Sequence, residues 1–151
     1  MKTGKIKKAG LIILIVLLLL TAADWIVSVI VYEQCFGVRY DSYEPKMLYL
    51  DDFEGLERTR YQFPSDKGQM LTGYLYTSGD DQHGIIIIAH GFGGGGHNSY
   101  MDCADYFAKH GYYVFAYDAT GCDESEGDKV GSLAQGVADL EYAISFVESS
   151  D

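Results

Sequence analysis

The first strong pattern along the chain is a long apolar stretch near its N-terminus. Residues 11–32 are apolar apart from Thr21, Asp24 and Ser28. A helix of about 21 residues that rises about 1.5 Å per residue is roughly 30 Å long, which matches the hydrocarbon core of a bilayer. The pattern therefore predicts a transmembrane anchor over residues 11–32.

Shorter apolar patterns further along predict that the chain enters a sheet through a hairpin. Residues 33–57 are mixed, acidic and rich in tyrosine, and we interpret them as a connector. The β-prone runs Arg58–Phe63 and Met70–Thr77 then flank the sequence PSDKGQ, whose proline, aspartate and glycine are typical of a turn. The folded domain is therefore predicted over residues 58–151, with an antiparallel hairpin first.

Two buried strands joined by a helix are predicted next. Ile85–Ala89 contains four consecutive isoleucines, a pattern typical of a parallel strand covered on both faces, and Tyr112–Asp118 is a second apolar run. The helical signals between these runs are apolar Met101, Ala104 and Ala108, Asn98 as the N-cap and Gly111 at the C-terminal end. Together they predict a β-α-β unit.

A final helix is predicted from Ser132 onward. Ser132 and Gln135 have the spacing of a capping box, in which each side chain bonds to the backbone of the other residue. Apolar residues at alternating spacings of four and three predict the face that packs on the sheet: Leu133, Val137, Leu140, Ile144 and Val147.

The charge of the chain changes sign after the apolar stretch. The net charge is −11; residues 1–32 carry four lysines and one aspartate (+3), so residues 33–151 carry seven basic and 21 acidic groups (−14). Nucleic-acid binding needs a basic footprint, so the folded part is not expected to bind nucleic acid.

The lysines before the apolar stretch predict its orientation. All four lie within residues 1–10, which we interpret as a cytoplasmic basic tail, and the positive-inside tendency then places the folded part outside the cell membrane as a single-pass protein. The alternative is a signal peptide cleaved near Thr21–Ala23, which would release the domain as a secreted protein.

The cysteines and histidines do not predict a metal site or a disulfide framework. Cys35, Cys103 and Cys122 are odd in number and lack a CxxC pair, and His90, His97 and Cys103 lack the usual spacings of metal ligands. We expect neither a metal nor another cofactor.

A glycine-rich segment, AHGFGGGGHNSY at Ala89–Tyr100, carries the first candidate chemistry. It contains Gly-x-Gly-x-x-Gly, and Asp118 ends the next strand, so a dinucleotide-binding, Rossmann-like domain is one interpretation. A phosphate loop of the Walker type is excluded because His97 and Asn98 stand where Lys and Ser or Thr are required. The same segment opens with His-Gly, which esterases use beside an oxyanion hole.

A second motif favours the esterase interpretation. Taken with IIIIAHGFGG, the sequence YDATGCDESEG resembles the α/β-hydrolase family, in particular serine hydrolases of the serine aminopeptidase and monoacylglycerol lipase groups. The resemblance extends over about residues 58–147. It implies an α/β fold, namely the N-terminal half of an α/β-hydrolase sheet with a leading β-hairpin and then β-α-β-α, preceded by the transmembrane helix.

The resemblance also implies roles for individual residues. The backbone N–H of Phe92, with that of Gly93 as the second candidate, would stabilise the oxyanion of an acyl-transfer intermediate. Residues implied to shape the site are His90, Gly91, Asp118, Gly121, Ser125 and Gly127. Ser125 is expected to be a turn residue and not a nucleophile, because Asp123 stands where a nucleophile elbow has glycine.

The nucleophile itself is expected beyond these residues. Gly-x-Ser-x-Gly does not occur in the sequence, and in the family the Ser, Asp or Glu, and His of the triad follow the last helix predicted here. We therefore expect a membrane-anchored serine hydrolase of ester, thioester or amide bonds in small-molecule, lipid or peptide acyl substrates, with its triad after Asp151 and this chain alone inactive. The alternatives are a membrane-tethered dinucleotide-binding domain and a catalytically inactive binding module.

Overall fold

The structure is a computed structural model that describes residues 2–93 and 95–150, and it divides into two units between Cys35 and Phe36. Helix α1, Lys2–Phe36, accounts for the first unit. The part Lys7–Phe36 contains an 18-residue stretch with a mean hydropathy of 2.6 and is long and apolar enough to cross a membrane. The predicted span at residues 11–32 lies within this helix.

The second unit is built on a four-stranded mixed sheet. Its strands are β1 (Glu57–Pro64), β2 (Met70–Thr77), β3 (Ile85–Ala89) and β4 (Tyr113–Tyr117), in the order β1-β2-β4-β3. The pairs β1–β2 and β2–β4 are antiparallel, and β3–β4 is parallel. Helices α2 (Met101–Lys109) and α3 (Leu133–Ser149) follow β3 and β4. The predicted hairpin and β-α-β-α order are therefore confirmed.

The core lies on both faces of this sheet. Along β4, Val114 and Ala116 join the cluster that includes α2, while Phe115 and Tyr117 join the cluster that includes α3. This alternation follows from the two-residue period of a strand. Gly73 on β2 makes room for the Phe115 ring, which a Cβ at that position would overlap.

Residues 36–56 also belong to the second unit. They contain two short 3-10 turns, Glu44–Lys46 and Leu50–Asp52, and no strand of the sheet. Leu56 is buried, and Leu48 and Phe53 pack against the core on the α2 face. Most of the segment interpreted as a connector is thus part of the compact fold, because its apolar side chains cover one face of the sheet.

The burial predicted for β3 is wrong. Ile85 is 46% exposed, and Ile86, Ile87 and Ile88 are only half-buried. Within the described residues β3 pairs on one side only, with β4, so it is an edge strand of this sheet. The run of isoleucines therefore predicted the strand correctly. It also predicted that both faces of the strand are packed against other elements, and in the described residues this packing is incomplete.

The packing face predicted for α3 is correct only in part, because Leu140 and Val147 pack against the core but the other three apolar residues do not. Leu133, Val137 and Ile144 are exposed, whereas Gln135, Asp139 and Ala143 are buried. The reason is a set of hydrogen bonds to the Asp139 carboxylate from Ser65 Oγ (2.6 Å), Thr120 N (2.7 Å), Thr120 Oγ1 (2.9 Å) and Gln135 Nε2 (3.0 Å). These hydrogen bonds turn the polar face of α3 that carries Asp139 toward Ser65 and Thr120.

The predicted helix ends are correct only in part. Asn98 does not cap α2: it lies in a 3-10 turn, His97–Ser99, and α2 begins after Tyr100 without a side-chain cap. Gly111 follows the end of α2 with φ of +85°, as glycine permits. Ser132 Oγ accepts the Gln135 N–H at 3.2 Å, but the Gln135 side chain bonds to Asp139 and does not close the capping box.

Candidate active site

The two motifs singled out in the sequence meet at one end of the sheet. The glycine loop, residues 90–100, follows β3, and a second loop, residues 118–131, follows β4. Because β3 and β4 are parallel, both loops leave the carboxyl edge of the sheet, where α/β proteins bind their ligands. The candidate site is therefore built from these two loops.

His90 joins the two loops at their base. Its Nε2 accepts the backbone N–H of Ala119 at 2.9 Å, so the ring proton lies on Nδ1, which is 3.1 Å from the carbonyl oxygen of Gly91. Both ring nitrogens are thus engaged with the backbone. In this arrangement His90 holds the loops together and is not placed to transfer a proton.

The predicted oxyanion donors lie in the exposed turn after His90. The backbone N–H groups of Phe92 and Gly93 have no hydrogen-bond acceptor among residues 2–93 and 95–150. The Phe92 ring lies 4.9 Å from that of Phe36 and 5.3 Å from that of Tyr40, measured between ring centroids. Gly93 has φ of +68°, a conformation that favours glycine.

A cleft of about 300 Å³ opens beside these donors. The glycine loop forms one wall, and the exposed apolar side chains of α3 form another. The lining residues include Phe92, Gly93, Ala119, Leu133, Val137 and Leu140. Phe92 and Gly93 therefore line a largely apolar space, in which a hydrogen bond to an oxyanion is stronger than in water.

Asp118 is completely buried and both of its carboxylate oxygens are occupied. Oδ1 accepts the backbone N–H of His97 at 2.7 Å and the Nδ1–H of the same residue at 2.9 Å. Oδ2 accepts the backbone N–H of Glu124 at 3.2 Å. A dinucleotide site would need this carboxylate free to bind ribose hydroxyls, so its position disfavours the dinucleotide-binding alternative.

His97 is a buried residue of the site that the sequence analysis did not identify. Its Nε2 lies 3.4 Å from the Arg58 guanidinium, and its ring centroid is 4.2 Å from that of Tyr74. Arg58 also lies over the Tyr74 ring, 4.5 Å from the centroid. No local pattern marks His97, because Asp118, Arg58 and Tyr74 reach it from three other parts of the chain.

Glu124 extends the same charged cluster toward the surface. It accepts hydrogen bonds from Tyr74 Oη (2.9 Å) and Arg60 Nε (3.1 Å). Burial alone would raise the pKa of the Glu124 carboxyl, but these two hydrogen bonds and the charges of His97 and Arg60 outweigh it, so the pKa is lowered. The carboxylate form is thus favoured beside the two arginines.

The loop after β4 is held by its own short hydrogen bonds. Ser125 Oγ donates to the carbonyl oxygen of Asp118 at 2.5 Å and accepts the N–H of Thr72 at 2.8 Å, so the hydroxyl is fully engaged in a turn. Gly121 and Gly127 have φ of +70° and +117°, and a Cβ on Gly127 would lie 2.9 Å from Gly121 N. Both glycines are therefore required by the shape of the loop.

Cys122 is not a nucleophile in this site. Burial raises the pKa of its thiol to about 12, and the charges of Asp123 and Asp118 act in the same direction. A thiolate is the reactive form of cysteine, and here it is disfavoured. Among the described residues no group of three His, Cys, Asp or Glu side chains is placed to hold a metal ion.

Comparisons with known proteins support the α/β-hydrolase fold. Residues 80–151 match the family model of the serine aminopeptidases, S33. The esterase Pf2001 of Pyrococcus furiosus has a similar structure (TM-score 0.56, 18% identity, 75% of this chain and 41% of that chain), as does the α/β hydrolase GrgF from Penicillium sp. sh18 (TM-score 0.56, 24% identity, 63% and 33%). The chain thus spans about two fifths or less of these structures, and no curated protein sequence matches it.

Proposed function

We infer that this chain, whose fold is the N-terminal part of an α/β hydrolase, provides the oxyanion-binding part of a membrane-anchored serine hydrolase of acyl bonds. The observation that carries this proposal is that the N–H groups of Phe92 and Gly93, at the carboxyl edge of the sheet, have no acceptor among the described residues. Both residues line the cleft of about 300 Å³, which is large enough for part of an acyl group.

The chemistry follows from where charge develops in acyl transfer. A serine oxygen adds to the carbonyl carbon of an ester, thioester or amide while its proton passes to the histidine of the triad. The π electrons of the carbonyl move to its oxygen, and a tetrahedral oxyanion forms. The fixed N–H of Phe92, or that of Gly93, donates to this oxygen, and one such donor lowers the barrier by about 3 to 4 kcal/mol. His90 and Asp118 contribute by holding the two loops that carry these donors.

The nucleophile is proposed to lie in the part of the hydrolase fold that this chain does not span. Gly-x-Ser-x-Gly is not present in the sequence, and the hydroxyl of Ser125 is engaged in its turn. The exposed apolar residues Leu133, Val137 and Ile144 of α3 support further structure beside the cleft. The substrate is a small-molecule, lipid or peptide acyl compound.

Helix α1 is proposed to anchor the enzyme in the cell membrane. Its part Lys7–Phe36 is apolar enough to span a bilayer, and four lysines within residues 1–10 favour a cytoplasmic N-terminus. The acidic second unit would then lie on the outer face. Cleavage near Thr21–Ala23 would instead yield a secreted form of the same hydrolase.

Two measurements distinguish this function from its alternatives. The product of the complete open reading frame is expected to hydrolyse p-nitrophenyl acyl esters, whereas an inactive binding module would not. The chain is expected to show no thermal shift with NAD or FAD, because the Asp118 carboxylate is already bonded. A saturable shift that Asp118→Ala abolishes would favour the dinucleotide-binding domain and contradict the hydrolase.

A further inference from the structure

The segment directly after Cys35 is bound along the loop that follows β4. We call residues 36–43 the strap. Three backbone hydrogen bonds of 3.0 Å each join the strap to this loop, from Gly131 N to Phe36 O, from Val130 N to Val38 O and from Tyr40 N to Gly121 O. The strap is therefore part of the site's framework in the second unit.

Arg39 fixes the strap to the turn at residues 123–127. Its guanidinium donates to three backbone carbonyl oxygens, those of Asp123 (2.8 Å), Ser125 (3.1 Å) and Gly127 (2.6 Å). A planar group with several fixed donors can satisfy these acceptors together, which a lysine ammonium at the end of a flexible chain does less well. This contact holds the turn in one conformation.

Ser42 and Asp123 then hold the glycine loop through Gly96. The Gly96 N–H donates to Asp123 Oδ2 at 2.7 Å and to Ser42 Oγ at 3.0 Å. Ser42 itself donates to Asp123 through its hydroxyl (2.6 Å) and its backbone N–H (2.5 Å). Asp123 has φ of +38°, which is rare for a residue other than glycine, and these bonds hold it there.

The space around Gly96 makes this attachment specific. A Cβ at this position would overlap the carboxylates of both Asp118 and Asp123, so only glycine fits between them. At the other end of the loop, the Phe92 ring lies between Phe36 and Tyr40 of the strap. The strap thus contacts the glycine loop at the first predicted oxyanion donor, Phe92, and again after the second, at Gly96.

We propose that the strap is a positioning element of the acyl-transfer site, in which Ser42 and Asp123 hold Gly96 while Phe36 and Tyr40 hold Phe92. The catalytic part of this inference rests on the proposed function. These contacts set the position of the Phe92 N–H. The position matters because a displacement of about 1 Å in a catalytic group can reduce a rate about 100-fold. The strap lies within the range that we interpreted from the sequence as a connector. In this proposal it contributes to catalysis.

The first test uses the whole 151-residue chain in detergent micelles, and it does not depend on activity. Ser42→Ala and Asp123→Ala are expected to raise the amide exchange rate of Gly96 about fivefold or more, the effect of losing one hydrogen bond, and to lower the NMR order parameters of Phe92 and Gly93. Amides of β4 should not change. Ser145→Ala, which removes only a hydroxyl bonded within α3, is the matched control.

Unchanged Gly96 exchange and unchanged Phe92 order in both variants would overturn the proposal. If Asp123→Ala does not fold, Ser42→Ala decides alone, because it removes a single hydroxyl from a half-buried residue.

The second test uses the product of the complete open reading frame. Ser42→Ala is expected to lower kcat about tenfold with little change in KM, and Ser42→Thr, which keeps the hydroxyl, to restore it. An equal kcat in Ser42→Ala would contradict the catalytic role. If the wild-type product hydrolyses no acyl ester while the NMR effects are present, the positioning is correct and the proposed function is not.

Discussion

At the scale of single residues, backbone groups and not side chains carry the proposed chemistry. The N–H groups of Phe92 and Gly93, which have no acceptor among the described residues, are proposed to bind an oxyanion, whereas the side chains of His90, Asp118 and Ser125 are all engaged in hydrogen bonds that shape the loops. Mutations that truncate side chains therefore test the hydrogen bonds that shape the loops. To test the donor itself, a mutation must remove a backbone N–H group.

Phe92→Pro removes the proposed donor because proline has no backbone N–H. In the product of the complete open reading frame, this variant is expected to lower kcat for acyl ester hydrolysis about 100- to 1,000-fold. Phe92→Ala keeps the N–H but loses the ring contacts with Phe36 and Tyr40 that position it, so kcat should fall only about tenfold, as expected for Ser42→Ala. Equal kcat values for the two variants, with equal melting temperatures, would argue against Phe92 as the donor.

Glu124 is expected to make the stability of the fold depend on pH. Its pKa is lowered in the folded state, so it contributes stability that is fully present above its ordinary value of 4.5 and is lost as the pH falls through the lower folded value. Glu124→Gln lacks this contribution. The difference in unfolding free energy between wild type and variant should be constant from pH 7 to 5 and shrink below about pH 4.5; a difference independent of pH would contradict the prediction.

At the scale of elements, the sequence was sufficient for the existence of strands and helices but not for their orientation. Hydrophobic periodicity and turn residues predicted the hairpin and the β-α-β-α order, with ends within about two residues. The buried face of α3 was predicted only in part, because Asp139 finds its partners, Ser65 and Thr120, in distant parts of the chain. Long-range polar contacts leave no periodic signal.

Asp139 is therefore expected to contribute more to α3 docking than an apolar residue of the predicted face. Asp139→Ala leaves the Thr120 N–H and the Ser65 hydroxyl without their acceptor and should reduce the free energy of unfolding by about 1 to 3 kcal/mol. Val137→Ala, at a position that is 60% exposed, should change it by less than about 0.5 kcal/mol. Denaturant unfolding of the 151-residue chain measures both, and a larger effect of Val137→Ala would contradict this account.

The candidate site shows the same division between local and long-range information. The motifs after β3 and β4 predicted which loops form it, because their residue types are local signals. His97 and the strap residues Arg39 and Ser42 were missed, since each acts through residues more than 20 positions away. A buried hydrogen bond such as that between His97 and Asp118 becomes visible only when the two loops are brought together by the parallel strands.

At the scale of the whole molecule, an apolar helix precedes an acidic folded unit. The four N-terminal lysines predict that the folded unit lies outside the cell. Protease added to intact cells or spheroplasts should cleave after residue 32 in a membrane-bound protein. Recovery of the protein in the soluble cytoplasmic fraction would contradict the proposed anchor and its orientation.

The central claim is that this chain supplies an oxyanion site to a serine nucleophile located elsewhere in the hydrolase fold. Labelling with a fluorophosphonate probe, followed by mapping of the modified residue by mass spectrometry, tests it most directly. The product of the complete open reading frame is expected to be labelled at the serine of a Gly-x-Ser-x-Gly motif that follows residue 151, and the 151-residue chain is expected not to react. Labelling at Ser99 or Ser125, or no labelling of the complete product, would contradict the account.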